Sequence, residues 1–178
     1  MKILAFAGSN SSQSINKKLV TFVAQHFAQE HEVEIIDLND YEMPIYGSDR
    51  EQKGIPQPAL DLASKIDTSD FLMISLAEHN GAYTTAFKNL FDWLSRVPNR
   101  AHFGDKKMFL MATSPGGRGG LGVLEVAAQR FPYHQTTIVE SFSLPFFQKN
   151  FDEKQGIVDE EKKIELLEKI EKIKKELA

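Results

Sequence analysis

The chain has 178 residues, 42% of them apolar, and a net charge of -4; that is enough for one domain with a sizeable core, and the charge favours neither nucleic acid nor an anionic membrane surface. With no cysteine there is no disulfide framework, thiol nucleophile or thiolate metal site, and the five histidines show no ligand spacing, so no metal is assigned. No apolar stretch approaches the roughly 18 residues that span a bilayer, and the short run Ile3 to Ala7 passes straight into polar residues, unlike a signal peptide, which points to a cytoplasmic protein.

The run 2–7 reads as a strand, and Leu19, Phe22, Val23 and Phe27 recur at helical spacing over 15–29. A second strand follows at 33–38. Residues 40–58, with Pro44, Gly47, Gly54, Pro56 and Pro58, read as a long loop before a helix at 58–67. A third strand at 71–76 precedes a helix at 84–96 carrying Phe87, Leu90, Phe91 and Leu94. A fourth at 107–113 precedes a helix at 120–131 carrying Leu121, Leu124, Ala128 and Phe131. After a fifth strand at 136–142 comes a polar connection at 145–157. The last helix, 159–177, places Ile164, Leu167, Ile170, Ile173 and Leu177 on one stripe, with Glu165–Lys169, Glu168–Lys172 and Glu171–Lys175 spaced as surface ion pairs. Most strands are continuous apolar runs, as in strands buried on both faces. Their alternation with helices implies right-handed crossovers and a parallel sheet. Five strands in the order 2-1-3-4-5 with helices on both faces is the flavodoxin-like α/β plan, here one domain over 1–178.

Three polar loops follow apolar runs and lead into helices: 8–16, 78–84 and 114–120. In a parallel sheet such loops gather at the carboxyl ends of the strands, where ligands bind. The first offers the hydroxyls of Ser9, Ser11, Ser12 and Ser14 and the amides of Asn10 and Asn16, and it ends where a helix begins. That is an anion site made of neutral dipoles, or else plain N-capping by Ser12 or Ser14. It is neither a Walker A loop nor a Gly-x-Gly-x-x-Gly fingerprint.

Gly8-Ser9 followed by Ser14-x-Asn16-x-x-Leu19 resembles the phosphate loop of the NADPH-dependent FMN reductase family. Glu78-His79-Asn80-Gly81, with Lys88-Asn89-x-x-Asp92-Trp93-Leu94-Ser95-Arg96 after it, resembles the family's second signature, and Ser114-Pro115-Gly116-Gly117 with Gly119-Gly120 its third. The resemblance covers roughly residues 1–145. It implies FMN as cofactor, NADPH or NADH as reductant, and a homodimer or dimer of dimers. It also implies hydride transfer, with ping-pong kinetics, to a small acceptor: a quinone, azo, nitro compound, chromate or free flavin. FMN would be bound by Ser9, Ser11, Ser14, Ile15 and Asn16, by Glu78, His79, Asn80 and Gly81, and by Ser114, Pro115, Gly116 and Gly117. No side chain is assigned as a catalytic acid or base.

This chain departs from the family in having Ala77 and His79 where Pro and Tyr are usual, and Asn10 and Ser11 where an Arg is common. His79 is either packed on a flavin edge or a turn histidine. Glu78 is harder to place beside a flavin, and it could accept from loop backbone or a ribityl hydroxyl. Lys88 and Asp92 are spaced for an ion pair, Trp93 for core or a subunit interface, and the glycines at 116–120 leave a flexible, unobstructed loop. Arg118 is exposed or attracts the phosphates of the nicotinamide nucleotide. The alternative function is a flavodoxin-type electron carrier, which would not oxidise NAD(P)H itself.

Overall fold

The structure, a computed structural model, describes residues 1–177. Strands β1 (Lys2–Gly8), β2 (Glu32–Ile36), β3 (Phe71–Leu76), β4 (Lys107–Thr113) and β5 (Thr137–Leu144) form a parallel sheet in the order β2-β1-β3-β4-β5. Helices α1 (Ile15–Gln25) and α5 (Glu160–Leu177) cover one face. Helices α2 (Gln57–Asp67), α3 (Thr85–Leu94) and α4 (Leu121–Arg130) cover the other. This is the flavodoxin-like order predicted from the sequence. Among the described residues, no helix is long and apolar enough to cross a membrane.

The central strands read as almost unbroken apolar runs because both their faces are covered. Ile3, Ala5 and Ala7 of β1 pack toward α1 and α5, while Leu4 and Phe6 pack toward α2, α3 and α4. Gly8 pairs with Leu76, and Leu76 with Ala112. The carboxyl ends of β1, β3 and β4 are therefore level, and their three loops emerge side by side.

Several boundaries and faces differ from the sequence reading. Helix α1 stops at Gln25 and a turn carries Phe27 into the core. Strand β2 ends at Ile36, and Leu38 is buried from a 3-10 turn. Helix α4 buries Val123, Leu124 and Ala127, whereas Leu121 and Ala128 are exposed. Helix α5 buries Leu166, Ile170 and Ile173, and leaves Ile164 and Leu167 in solvent. Its Lys169 lies 3.8 Å from Glu165 as predicted, but Lys169 and Lys172 also reach across to Glu140 on β5.

The polar connection at 145–157 is structured. It forms a short helix (Phe147–Asn150) and a hairpin (Phe151–Asp152 with Gly156–Ile157), with Phe151 packed against both Phe22 and Phe147. The 40–58 segment is fastened to α3. Asn89 Oδ1 accepts from Tyr46 N–H (2.7 Å), and Trp93 Nε1–H donates to Pro44 O (2.7 Å). Trp93 is fully buried and Phe147 nearly so. Of the two roles that its spacing allowed, Trp93 takes the core one. Phe146, next to Phe147, is exposed, at 49%.

Candidate functional site

The first loop is curled by its own hydroxyls. Ser9 Oγ accepts from Ser11 N–H and Ser11 Oγ from Gln13 N–H, each at 3.2 Å. Ser14 Oγ accepts from Lys17 N–H (3.1 Å) and caps α1. Among the described residues, the N–H groups of Ile15 and Asn16 have no protein acceptor. They sit at the positive end of α1. Capping and anion binding are thus compatible here: Ser14 satisfies one N–H, and two remain. The ammonium of Lys17 turns away to Asp37, whose carboxyl it holds below the usual carboxylate range, with the Asn39 N–H adding to the effect. The donors left around the loop are neutral.

The structure corrects the role read for the Asn16 side chain. It is 2% exposed. Its Nδ2–H donates to Thr113 O (3.0 Å), and its Oδ1 accepts from Thr113 N–H (2.9 Å) and Ser75 Oγ–H (2.7 Å). The amide that looked like a ligand donor instead ties α1 to the ends of β3 and β4. Its backbone N–H remains available. Sequence reasoning missed Thr84, which does similar work. Its Oγ1–H donates to Gly8 O (2.9 Å) while accepting from Phe87 N–H (3.1 Å), so it caps α3 and joins the second loop to the first. A threonine three residues before the first apolar residue of an amphipathic stripe was the available signal.

The second loop is a hairpin, Glu78–His79 paired with Ala82–Tyr83. Asn80 (φ 53°) and Gly81 (φ 77°) form its tip. Two successive positive φ values are what a type I′ turn requires, which explains Asn-Gly at this place. Tyr83 anchors the hairpin against Phe87 and Phe131, and burial pushes its phenol up to about 12. His79 is exposed and lines a cleft of about 430 Å³ with Asn10, Tyr41, Met43, Thr84 and Asn89. The third loop contributes no lining residue to that cleft. Glu78 Oε2 accepts from Val123 N–H (2.9 Å), in the first turn of α4. The donor is thus a backbone N–H, as one of the two expectations for Glu78 had it, but it belongs to a helix and not to a loop. Lys88 and Asp92 form the predicted ion pair at 2.6 Å.

The third loop is bonded to the end of β5 and the segment after it. Ser114 O accepts from Phe147 N–H and Gly116 O from Phe146 N–H, both at 3.1 Å. Gly119 O accepts from Ser143 Oγ–H (3.1 Å). The Phe146 ring lies so close that a Cβ on Gly117 would stand 2.8 Å from its Cζ. Phe146 holds this place with a positive φ of 49°, a conformation uncommon for a bulky residue. Pro115, Gly116, Gly117 and Arg118 remain exposed.

The structure therefore places the three loops at one edge and cross-braces them. Neutral hydroxyls and two free N–H groups at a helix start suit a terminal phosphate monoester, and exposed turns at 79–81 and 115–117 leave room for a planar ring. These residues fit FMN.

Comparison with known proteins agrees. The chain is 27% identical over 176 residues to the NADH:(hydroxy)cinnamate reductase subunit CrdA of Vibrio ruber, covering 93% of this chain and 82% of that one. It is 29% identical over 102 residues to an NADPH azoreductase of Bacillus sp. strain OY1-2, covering 57% and 54%. In fold it resembles FerB, a flavoenzyme NAD(P)H:(acceptor) oxidoreductase from Paracoccus denitrificans, with a TM-score of 0.75, 23% identity and coverage of 96% and 93%. The family model for NADPH-dependent FMN reductases matches residues 1–150. With that match over most of its length, the chain belongs to the NADPH-dependent FMN reductase family, as an NAD(P)H-dependent oxidoreductase that uses FMN.

Proposed function

We propose that this enzyme takes two electrons from NAD(P)H and delivers them to a small planar acceptor, a quinone or azo compound foremost, with the two substrates using one opening in turn. For a quinone the balance is NAD(P)H, one proton and quinone going to NAD(P)⁺ and hydroquinone. Bound FMN supplies the two-electron redox chemistry, and the protein supplies binding, orientation and electrostatics. The observation that carries the reading is the pair of unpartnered N–H groups, on Ile15 and Asn16, at the end of a loop that carries the hydroxyls of Ser9, Ser11 and Ser14. These groups would hold the phosphate. Residues 79–81 and 114–117 would flank the ring, with glycine N–H groups at its carbonyl edge, where such dipoles stabilise negative charge. No side chain is needed as an acid or base. Two copies would associate beside Phe146, to be tested by light scattering at micromolar concentration.

Apoprotein titrated with FMN and FAD should bind FMN more tightly. Initial rates of NADPH and NADH oxidation at several quinone concentrations should give parallel double-reciprocal lines. Tighter binding of FAD would overturn the phosphate assignment. Flavin binding without NAD(P)H oxidation by any acceptor would restore the electron-carrier alternative.

A further inference from the structure

Helix α4 follows the third loop but cannot cap itself. Its N-cap is Gly120, at φ 81° and with no side chain to accept an N–H. A larger residue is barred there, since a Cβ on Gly120 would stand 2.7 Å from the Ala112 Cβ. The cap comes from 45 residues upstream, as Glu78 Oε2 accepts from Val123 N–H at 2.9 Å. Space for that carboxylate exists because residue 122 is glycine. A Cβ there would lie 2.9 Å from Oε2 and 3.2 Å from Cδ of Glu78. Glu78 stands on the second loop and Val123 just beyond the third. The bond is a direct strut between the two loops that flank the proposed ring site. Its charge is also spent on a helix N-terminus, where a carboxylate is favoured.

We propose that Glu78 is a positioning residue for the flavin ring: capping α4 from the second loop, it fixes the spacing of the second and third loops and keeps its carboxylate turned away from the ring. The proposal rests on the FMN site described above and goes beyond it, because it separates ring affinity from phosphate affinity. A strut between the ring-flanking loops should act equally on flavins with and without a phosphate.

The test is titration of apoprotein with FMN and with riboflavin, followed by flavin fluorescence, alongside thermal unfolding of each variant. Glu78→Ala should weaken both flavins about tenfold, as loss of a charge-assisted hydrogen bond that orders the site. The ratio of the two dissociation constants should stay as in wild type. Glu78→Gln keeps an oxygen acceptor and should restore binding to within about threefold. Gly122→Ala should mimic Glu78→Ala, and the double variant should be no worse than Glu78→Ala, since the clash has lost its partner. Should Glu78→Ala fail to fold, Glu78→Asp, one methylene short of Val123, carries the same expectation. Unchanged affinity in Glu78→Ala, a loss confined to FMN, or a Glu78→Gln variant as weak as the alanine would each overturn the proposal. Failure of wild-type apoprotein to bind FMN would instead overturn the reading of the site.

Discussion

Asn16→Ala removes three buried hydrogen bonds at once: to Thr113 O at 3.0 Å, from Thr113 N–H at 2.9 Å and from Ser75 Oγ–H at 2.7 Å. Thr113 and Ser75 are 1% and 0% exposed, so water cannot replace the lost partners without rearrangement. Each typical bond contributes about 1 kcal/mol, and a buried backbone N–H left unpaired costs about 1–3 kcal/mol. A loss of roughly 3–4 kcal/mol follows, a large share of the roughly 5–15 kcal/mol that stabilises a domain. For a chain of this size that corresponds to a fall of about 10 °C in Tm. Thermal unfolding of the apoprotein by circular dichroism measures it without any ligand. Ser75→Ala, which removes one bond and leaves Oδ1 paired with Thr113, should cost only about 1 kcal/mol. An Asn16→Ala apoprotein that melts within about 2 °C of wild type, with FMN binding lost, would refute the argument and return the side chain to the ligand.

Ser9→Ala should raise the dissociation constant for FMN about tenfold or more, by loss of a donor to a charged acceptor, and leave riboflavin binding little changed; equal weakening of both would move Ser9 away from the phosphate. His79→Tyr should preserve FMN affinity and alter kcat/KM for quinones, because His79 lines the cleft beside Asn10 and Thr84; identical acceptor profiles would place the ring outside the acceptor's path. His102 packs on His134 with ring centroids 3.7 Å apart, and burial, reinforced by His134, lowers its pKa to about 4. The unfolded imidazole takes up its proton near pH 6.5, so stability is complete above that value and declines as pH falls toward 4. Allowing for solvent screening of a partly exposed ring, the loss is about 1.5 kcal/mol. Denaturant midpoints from pH 7 to 4 should show this slope in wild type and lose most of it in His102→Gln; parallel profiles would count against the assignment.

The strands were legible because their burial is one-dimensional. A strand covered on both faces needs apolar residues almost throughout, and Phe71 to Leu76 show that pattern with one exception, Ser75, whose buried hydroxyl is paired with Asn16. Helix faces are less determined. Helix α5 carries Ile164, Leu166, Leu167, Ile170 and Ile173, which supports two overlapping stripes. The narrow contact with the sheet selects Leu166, Ile170 and Ile173. The partner of Lys172 is also decided outside the helix: Glu140 on β5, not Glu168 one turn away. A carboxylate on a third element competes with the local one, as Lys169 shows by standing 3.2 Å from Glu140 and 3.8 Å from Glu165.

At the site, the sequence revealed which loops matter but not which atoms face the ligand. Asn16, Thr84 and Glu78 are polar residues in loops that looked open, and each reaches 97, 76 or 45 residues along the chain to brace another loop. The physical reason is that the first and third loops have no ladder of their own, and the second has only its two-residue hairpin pairing. Residues 9–14 and 114–120 make few repeating backbone bonds, so buried side-chain bonds must set their positions. A binding site made of such loops therefore spends part of its polar composition on holding its own shape. Asn16 shows how one residue can serve both ends, its side chain bracing β3 and β4 while its backbone N–H stays at the mouth of α1. Side-chain variants at such a position report on the fold. Ligand recognition through the backbone is better probed next door by Ile15→Pro: position 15 opens α1 and Ser14 before it is non-helical (φ -59°, ψ 114°), so proline removes the N–H at the place where its fixed φ is tolerated, and comparison with Ile15→Ala isolates the contribution of that one donor.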